Sequence, residues 1–356
     1  MDTSKLAQRD GNATAEASLN IVVAAAKPST TSTKKTSTTV KQASSQKQTL
    51  STKKTTVSTK QASDTQASTK TASSSKKTSA TTTVATAQEA VATVKTGSGK
   101  RGLSFNLANM TQPFGKNHNP DSQVSWTYNW YLSACSGDPA CKYNKALDYI
   151  PLLFSDETSV TSLWHDAATS AIASGSSALF SFNEPDVCWP GSACMPVASS
   201  VAAYKKHMQP FAGKAKLGAP AVTNGGAPYG LTYLQTFLDD CKGCTVDFIN
   251  VHWYSNKYAG ATYFESYMQQ VRKVANGRPI WVTEFGLTDD DPYTQDELIA
   301  FLKTVMAWMD QQDDIHRYAY FMDEAGVLMG PAGKKISKAG QVYNTFHTTA
   351  KQATLS

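Results

Sequence analysis

The stretch Ser177-Ala-Leu-Phe-Ser-Phe-Asn-Glu-Pro185 decides the fold. Leu179, Phe180 and Phe182 make an apolar run too short for a helix, and Pro185 stops it. The segment therefore reads as a buried strand that ends in a sharp turn. Glu184 stands where the strand stops. A carboxylate is costly to bury inside a sheet without a partner, so its place is the rim, facing a cleft. The same design recurs about one hundred residues later in Pro279-Ile-Trp-Val-Thr-Glu-Phe-Gly286. There Ile280, Trp281 and Val282 form the apolar run, Glu284 ends it, and Gly286 is expected to turn the chain. Two strands that each present a Glu at the C-terminal end predict two carboxylates over one site.

Outward from these two strands, six further strand-like runs end in polar or turn residues: 103–108, 124–130, 149–154, 215–222, 246–254 and 317–322. Helical spacing appears between most of them, over 158–173, 197–211, 231–240, 263–275 and 294–310. Ser155 and Asp156 are candidate caps for the first of these helices. Thr294 with Glu297 forms a capping box for the last, whose core face is Leu298, Phe301, Leu302, Val305, Met306 and Met309. Tyr343 and Phe346 anchor a final short helix. Only the first two strands lack a convincing helix between them. Strand–helix alternation implies parallel pairing through right-handed crossovers. Eight units in about 255 residues predict a (β/α)8 TIM barrel, an architecture of about 250 residues whose functional groups lie at the C-terminal strand ends.

Composition divides the chain into a tail, 1–100, and a folded domain, 101–356. All 35 aromatic residues and all six Cys lie at or after Phe105. Residues 28–98 hold 35 Ser or Thr among 71 positions. Such a Ser/Thr/Lys-rich segment cannot bury enough apolar surface to offset its ordering entropy, so a long disordered N-terminal segment is expected, suited to O-glycosylation. Its 11 Lys against Asp64 and Glu89 give it +9, and residues 1–27 balance. Of the formal +6 of the chain, residues 99–356 therefore carry −3. The folded part is mildly acidic, which argues against nucleic acid as a partner. No run approaches the ~18 consecutive apolar residues of a membrane span, and no secretory leader is visible, 20–26 being too short.

The cysteines nevertheless point to export. They fall into three close pairs, Cys135/Cys141, Cys188/Cys194 and Cys241/Cys244, and proximity favours local disulfides in a secreted domain. A zinc site at Cys241-Lys-Gly-Cys244 would need two further ligands at suitable spacing, and no second such pair exists. Asp289-Asp-Asp291 matches no calcium-loop spacing, the other histidines show no metal spacing, and no G-x-S-x-G elbow is present. No metal or cofactor is expected. Asn12-Ala-Thr14 and Asn109-Met-Thr111 are glycosylation sequons, the second at the mouth of the first strand.

Paired carboxylates are what glycosidic cleavage requires. One protonates the leaving oxygen, and the other attacks the anomeric carbon or activates water. Aromatic residues at strand ends offer flat faces to the apolar side of a pyranose, and Trp130, Trp189, Trp253, Tyr254 and Phe321 all fall there. Trp189 lies in the loop between Cys188 and Cys194, which would form one wall of a cleft.

Asn183-Glu184-Pro185 and Thr283-Glu284-Phe285-Gly286, with Val251-His-Trp-Tyr254 between them, resemble the retaining (β/α)8 glycoside hydrolases of clan A. Together with Tyr128-Asn-Trp130, Tyr149-Ile-Pro-Leu-Leu153 and Phe182-Asn-Glu-Pro-Asp186, the pattern over about residues 102–348 resembles glycoside hydrolase family 128, the fungal wall-associated endo-β-1,3-glucanase-like proteins. The resemblance implies Glu184 as general acid/base, which must start the cycle protonated, and Glu284 as nucleophile. It implies that Asn183 contacts the sugar 2-hydroxyl and that His252 or Tyr254 orients Glu284 or binds sugar. A β-glucan substrate, a monomer and a secreted or wall location follow as expectations. A glucan-binding protein without catalysis, and a transglycosylase using the same carboxylates, are the alternatives.

Overall fold

The computed structural model describes residues 99–135, 140–288 and 290–347. The Ser/Thr/Lys-rich tail, the Asn12 sequon and Asp289 lie outside the described residues. Nine strands run in chain order, β1 (Arg101–Phe105), β2 (Val124–Tyr128), β3 (Asp148–Tyr149), β4 (Leu152–Leu153), β5 (Ala178–Asn183), β6 (Lys216–Ala221), β7 (Ile249–Ser255), β8 (Ile280–Leu287) and β9 (Ile315–Asp323). Every pairing between them is parallel. Six strands lie in the order β3-β2-β1-β9-β8-β7, and three in the order β4-β5-β6.

Two seams join these into one cylinder. Bridges from Gly218 to Phe248 and from Val222 to Val251 tie β6 to β7. At the other seam β3 and β4 are two halves of the strand expected over 149–154, interrupted at Ile150-Pro151. Proline has no N–H for the ladder, yet the Pro151 carbonyl accepts from Phe180 N–H (3.0 Å), and Ile150 N–H donates to the Thr127 carbonyl (2.9 Å). Counting β3 and β4 as one, eight strand positions close the barrel, as the sequence predicts.

Among the described residues six α-helices cover the outside: α1 (Thr158–Ala173), α2 (Val197–Ala203), α3 (Leu231–Asp240), α4 (Gly260–Ala275), α5 (Gln295–Gln311) and α6 (Lys338–Thr345). The helix expected over 197–211 stops being regular at Tyr204, where a π turn (Tyr204–Met208) and a 3-10 turn (Gln209–Phe211) follow. Pro210 there removes a backbone donor. Between β1 and β2 only a 3-10 turn (Ala108–Thr111) forms. The cap of α1 is Glu157 rather than Ser155 or Asp156, and Ser155 instead accepts from the Glu157 N–H. The Thr294–Glu297 capping box of α5 forms, and its six predicted core residues are buried. No helix among the described residues is long and apolar enough to cross a membrane.

The barrel interior is filled by aromatic side chains, as an eight-stranded barrel permits. Phe248 stacks on Trp281 at 4.2 Å, with Trp126 and Phe180 5.7 and 5.5 Å from Trp281. The Arg317 guanidinium lies over Trp281 (4.6 Å) and Trp126 (5.6 Å) and pairs with Asp148 (3.2 Å). These residues plug the end at which the strands begin, so the other end is left for a site.

Candidate active site

Glu184 follows β5 directly, and Glu284 lies in β8. The side chains are 10% and 6% exposed, which for carboxylates demands partners. Glu284 has four. Trp130 Nε1 donates to Oε1 (2.6 Å), Tyr128 hydroxyl reaches the same oxygen (3.4 Å), Tyr254 hydroxyl donates to Oε2, and His252 Nε2 lies 3.4 Å from Oε1. Glu184 has two: His252 Nδ1 at 2.9 Å from Oε1, and Trp189 Nε1 donating to Oε2 (3.1 Å). An oxygen of each carboxylate and a ring nitrogen of His252 all lie within 4.8 Å of one another. The imidazole thus bridges the two acids.

Burial raises the Glu284 pKa above the usual carboxylate range. The His252 charge pulls it down, the Glu184 charge pushes it up, and the Tyr254 and Trp130 donors favour the ionised form. Burial also holds the Tyr128 and Tyr254 hydroxyls far above their ordinary pKa, reinforced by Glu284, so both remain neutral donors.

The backbone departs from ordinary geometry at the same place. Trp130 has φ +60° and Glu184 φ +46°, a region that side chains larger than Asn rarely occupy. Each such residue costs about 1–3 kcal/mol and persists only where its surroundings hold it. Trp130 is held by its bond to Glu284 and by packing between Tyr128 (5.0 Å) and Phe321 (5.5 Å). Glu184 is held by its own N–H bonded to the Ala221 carbonyl (2.8 Å).

Of the residues singled out from the sequence, Trp130, Trp189, His252, Tyr254 and Phe321 gather around the two carboxylates, Phe321 through ring contacts with Trp130 and Tyr254 (5.6 Å). Asn183 is buried, with Nδ2 donating to the Gly191 carbonyl (2.9 Å), and its Oδ1 has no partner among the described residues. Trp253 is not brought to the site. Strand side chains alternate, so between His252 and Tyr254 it points outward, fully buried against Tyr263, Phe264 and Phe301. Gly286 does not turn the chain either: β8 runs on to Leu287. A Cβ at Gly286 would lie 3.1 Å from the Tyr254 ring, so glycine there clears the space from which Tyr254 reaches Glu284.

Tyr128, Asn250 and Thr283 belong to the site as well, although they are not among the candidates singled out from the sequence. Thr283 Oγ1 donates to Asn250 Oδ1 (2.6 Å) and lies 3.1 Å from His252 Nε2, a chain that orients the imidazole. The period-two alternation of Asn250, His252 and Tyr254, and of Trp126, Tyr128 and Trp130, was the available signal. All three expected disulfides form, with Cα–Cα distances of 5.5, 4.5 and 5.5 Å.

Residues 102–343 match the family model described as glycosyl hydrolase catalytic core. Alkali-sensitive linkage protein 1 of Schizosaccharomyces pombe is 28% identical over 254 residues, 68% of this chain and 43% of that protein, so the chain spans less than half of its curated relative. A curdlan-specific exo-β-1,3-glucanase of Blastomyces gilchristii, solved with glucose, is 34% identical with a TM-score of 0.60, over 70% of this chain and 99% of that one. An endo-β-1,3-glucanase of Amycolatopsis mediterranei, solved with laminaripentaose, is 27% identical with a TM-score of 0.55, over 68% and 98%. With both solved enzymes classed in that family and the catalytic-core match running from β1 into α6, the chain belongs to glycoside hydrolase family 128.

Proposed function

We propose that the domain hydrolyses β-1,3-glucan within the chain and with retention, Glu184 acting as acid/base and Glu284 as nucleophile. The observation that carries this is the pair of buried carboxylates bridged by His252 within a 4.8 Å cluster. Retaining enzymes hold their carboxyl groups about 5–5.5 Å apart, whereas inverting enzymes leave room for a water at about 6.5–9.5 Å. In the first step a Glu284 oxygen bonds to the anomeric carbon as the glycosidic C–O bond breaks, and the Glu184 proton passes to the leaving oxygen. In the second, Glu184 takes a proton from water, the water oxygen bonds to the anomeric carbon, and Glu284 is released. Trp130, Tyr128 and Tyr254 aim the nucleophile. The unpartnered Asn183 Oδ1 offers an acceptor for a sugar hydroxyl, and the half-exposed face of Trp189 (50%) offers a platform beside the acid.

The three local disulfides support an oxidising, extracellular setting, and the wall-glucan chemistry supports a place at the cell wall. Glu284→Gln and Glu184→Gln are expected to keep the circular dichroism spectrum and melting temperature while nearly abolishing sugar release. The substrates are laminarin, lichenan, cellulose, xylan and mannan, with products sized by chromatography. Full activity in Glu284→Gln would overturn the assignment.

A further inference from the structure

Two loops at the mouth of the barrel meet on Asp186, a carboxylate outside the cluster that His252 bridges. Asp186 lies two residues after Glu184 and is 7% exposed. Its side chain accepts from the Thr223 hydroxyl (2.6 Å), the Thr223 N–H (3.2 Å) and the Gly230 N–H (2.9 Å). All three donors belong to the loop between β6 and α3. Several donors on one nearly buried carboxylate form a strong clamp of fixed geometry. Gly230 lets the loop fold back to reach it. Its φ is +55°, and a Cβ there would lie 2.2 Å from the Gly225 carbonyl oxygen.

The clamp seats residues 221–224. The Ala221 carbonyl accepts from the Glu184 N–H (2.8 Å), and the Val222 carbonyl from the His252 N–H (2.8 Å). Asn224 holds Tyr254 at two points, Oδ1 accepting from the Tyr254 N–H (3.1 Å) and Nδ2 donating to its carbonyl (3.0 Å). Tyr254 in turn donates to Glu284. Ala221, Val222 and Asn224 thus fix the backbones of Glu184, His252 and Tyr254, and Thr223 among them turns to Asp186 instead. Glu184 needs such a hold, because a φ of +46° persists only where the surroundings impose it.

We propose that Asp186, acting through Thr223, is a positioning residue for the two glutamates: it locks residues 221–224 in the register that aims Glu184, His252 and Tyr254. The proposal rests on the hydrolase reading above and deepens it. Asp186 and Thr223 are 7% and 6% exposed, and their bonds go to each other's loops rather than into the cleft, so their loss falls on the chemical step. Misplacing reacting groups by about 1 Å costs up to about a hundredfold in rate.

Asp186 also helps to raise the His252 pKa, so replacing it would mix charge with geometry. Thr223 variants keep the carboxylate and isolate the geometry. In the full chain, Thr223→Val removes the hydroxyl bond and Thr223→Ser keeps it. Thr223→Ala removes the same bond and stands in if Thr223→Val does not fold. Thr223→Val should lower kcat on laminarin about tenfold with KM within about twofold, and Thr223→Ser should stay within about twofold of the wild type in both. Amide hydrogen exchange, resolved by NMR, should quicken about tenfold or more at Glu184, His252 and Tyr254 in Thr223→Val. It should not quicken at Ile280 and Tyr318, whose amides bond the Asp314 and Lys100 carbonyls at the base. An unchanged kcat in Thr223→Val, an equal loss in Thr223→Ser, or exchange that quickens alike at base and mouth would overturn the positioning role. If the wild type cleaves no laminarin, the hydrolase reading fails instead, and exchange decides the clamp. Quickening confined to the three mouth amides supports it, and its absence sinks it.

Discussion

Both ring nitrogens of His252 are committed, one to Glu184 and the other to Thr283 and Glu284. Burial alone would favour the neutral ring, but the Glu284 charge and the bond to Glu184 outweigh it and raise the His252 pKa. That cation in turn opposes the burial that raises Glu284. Replacing it therefore has a definite sign. In His252→Gln the opposing charge is gone, so the Glu284 pKa rises further. In its proposed role as nucleophile Glu284 works ionised, so activity is lost as pH falls through its pKa. The acid limb of kcat/KM should consequently move to higher pH, checked by pH–rate profiles on laminarin. The limb reports the coupled group rather than one isolated residue. A limb that stays put or moves to lower pH would show that the His252 charge does not tune the nucleophile.

The loop after β5 shows how an element can serve a site without supplying the reacting atom. Its backbone is pinned by Ala193 N–H to the Asn183 carbonyl (2.7 Å) and by Met195 N–H to the Pro185 carbonyl (3.0 Å). The Cys188–Cys194 disulfide closes it over a separation of 6 residues, and Trp189 reaches from it to Glu184. Closing so short a loop removes about 2 kcal/mol of denatured-state entropy, and 1 kcal/mol moves Tm by about 2–4 °C in a domain of this size. A hydrogen bond to a carboxyl that starts the cycle protonated contributes about 0.5–1.5 kcal/mol. Cys188→Ser with Cys194→Ser should thus lower Tm by about 4–8 °C while reducing kcat/KM on glucan up to about tenfold, a factor of ten being ~1.4 kcal/mol. Calorimetric melting and initial rates separate the two effects, and a large Tm loss with unchanged kcat/KM would make the staple structural only. Elements of this kind were partly legible in the sequence. Helices 158–173 and 231–240 were readable to the residue because apolar spacing sets them locally. The break at Tyr204 and the split at Ile150-Pro151 were not, since barrel curvature and cross-strand bonding impose them. Glu184 was legible from where its strand stops, whereas Glu284 lies inside β8, three residues short of its end. The outward turn of Trp253 follows from alternation alone, yet aromatic content at a strand end obscured it.

At the scale of the whole molecule, the buried Arg317 cluster and the proposed catalytic pair occupy opposite ends of the barrel, the division common to this architecture. The strands begin at Arg317 between its two tryptophans and at Arg101, and they end at the two glutamates. Closure joins the first described strand to the last, β1 to β9, and Arg101 ties that seam to the C-terminal helices. It is 1% exposed. Its Nε donates to Tyr318 hydroxyl (3.0 Å), Nη1 to the Tyr343 and Phe346 carbonyls (2.7 and 2.9 Å), and Nη2 to Asp310 (3.3 Å). Lys100 beside it donates to three carbonyls at the end of α5, those of Met309, Asp310 and Gln312. Arg101→Leu leaves those Tyr343 and Phe346 acceptors without their donor. Breaking a buried ionic network costs about 3–5 kcal/mol, and because Asp310 is partly solvated the lower figure of about 3 kcal/mol applies. At about 2–4 °C per kcal/mol the Tm should fall by about 6–12 °C. Far from the glutamates, the same variant should keep its kcat/KM on laminarin at 25 °C. Differential scanning calorimetry and initial rates on one preparation test both halves of this claim. A Tm within a degree or two of the wild type would mean that the seam is held elsewhere. Lost activity in a still-folded protein would mean that closure at the base positions the groups at the mouth.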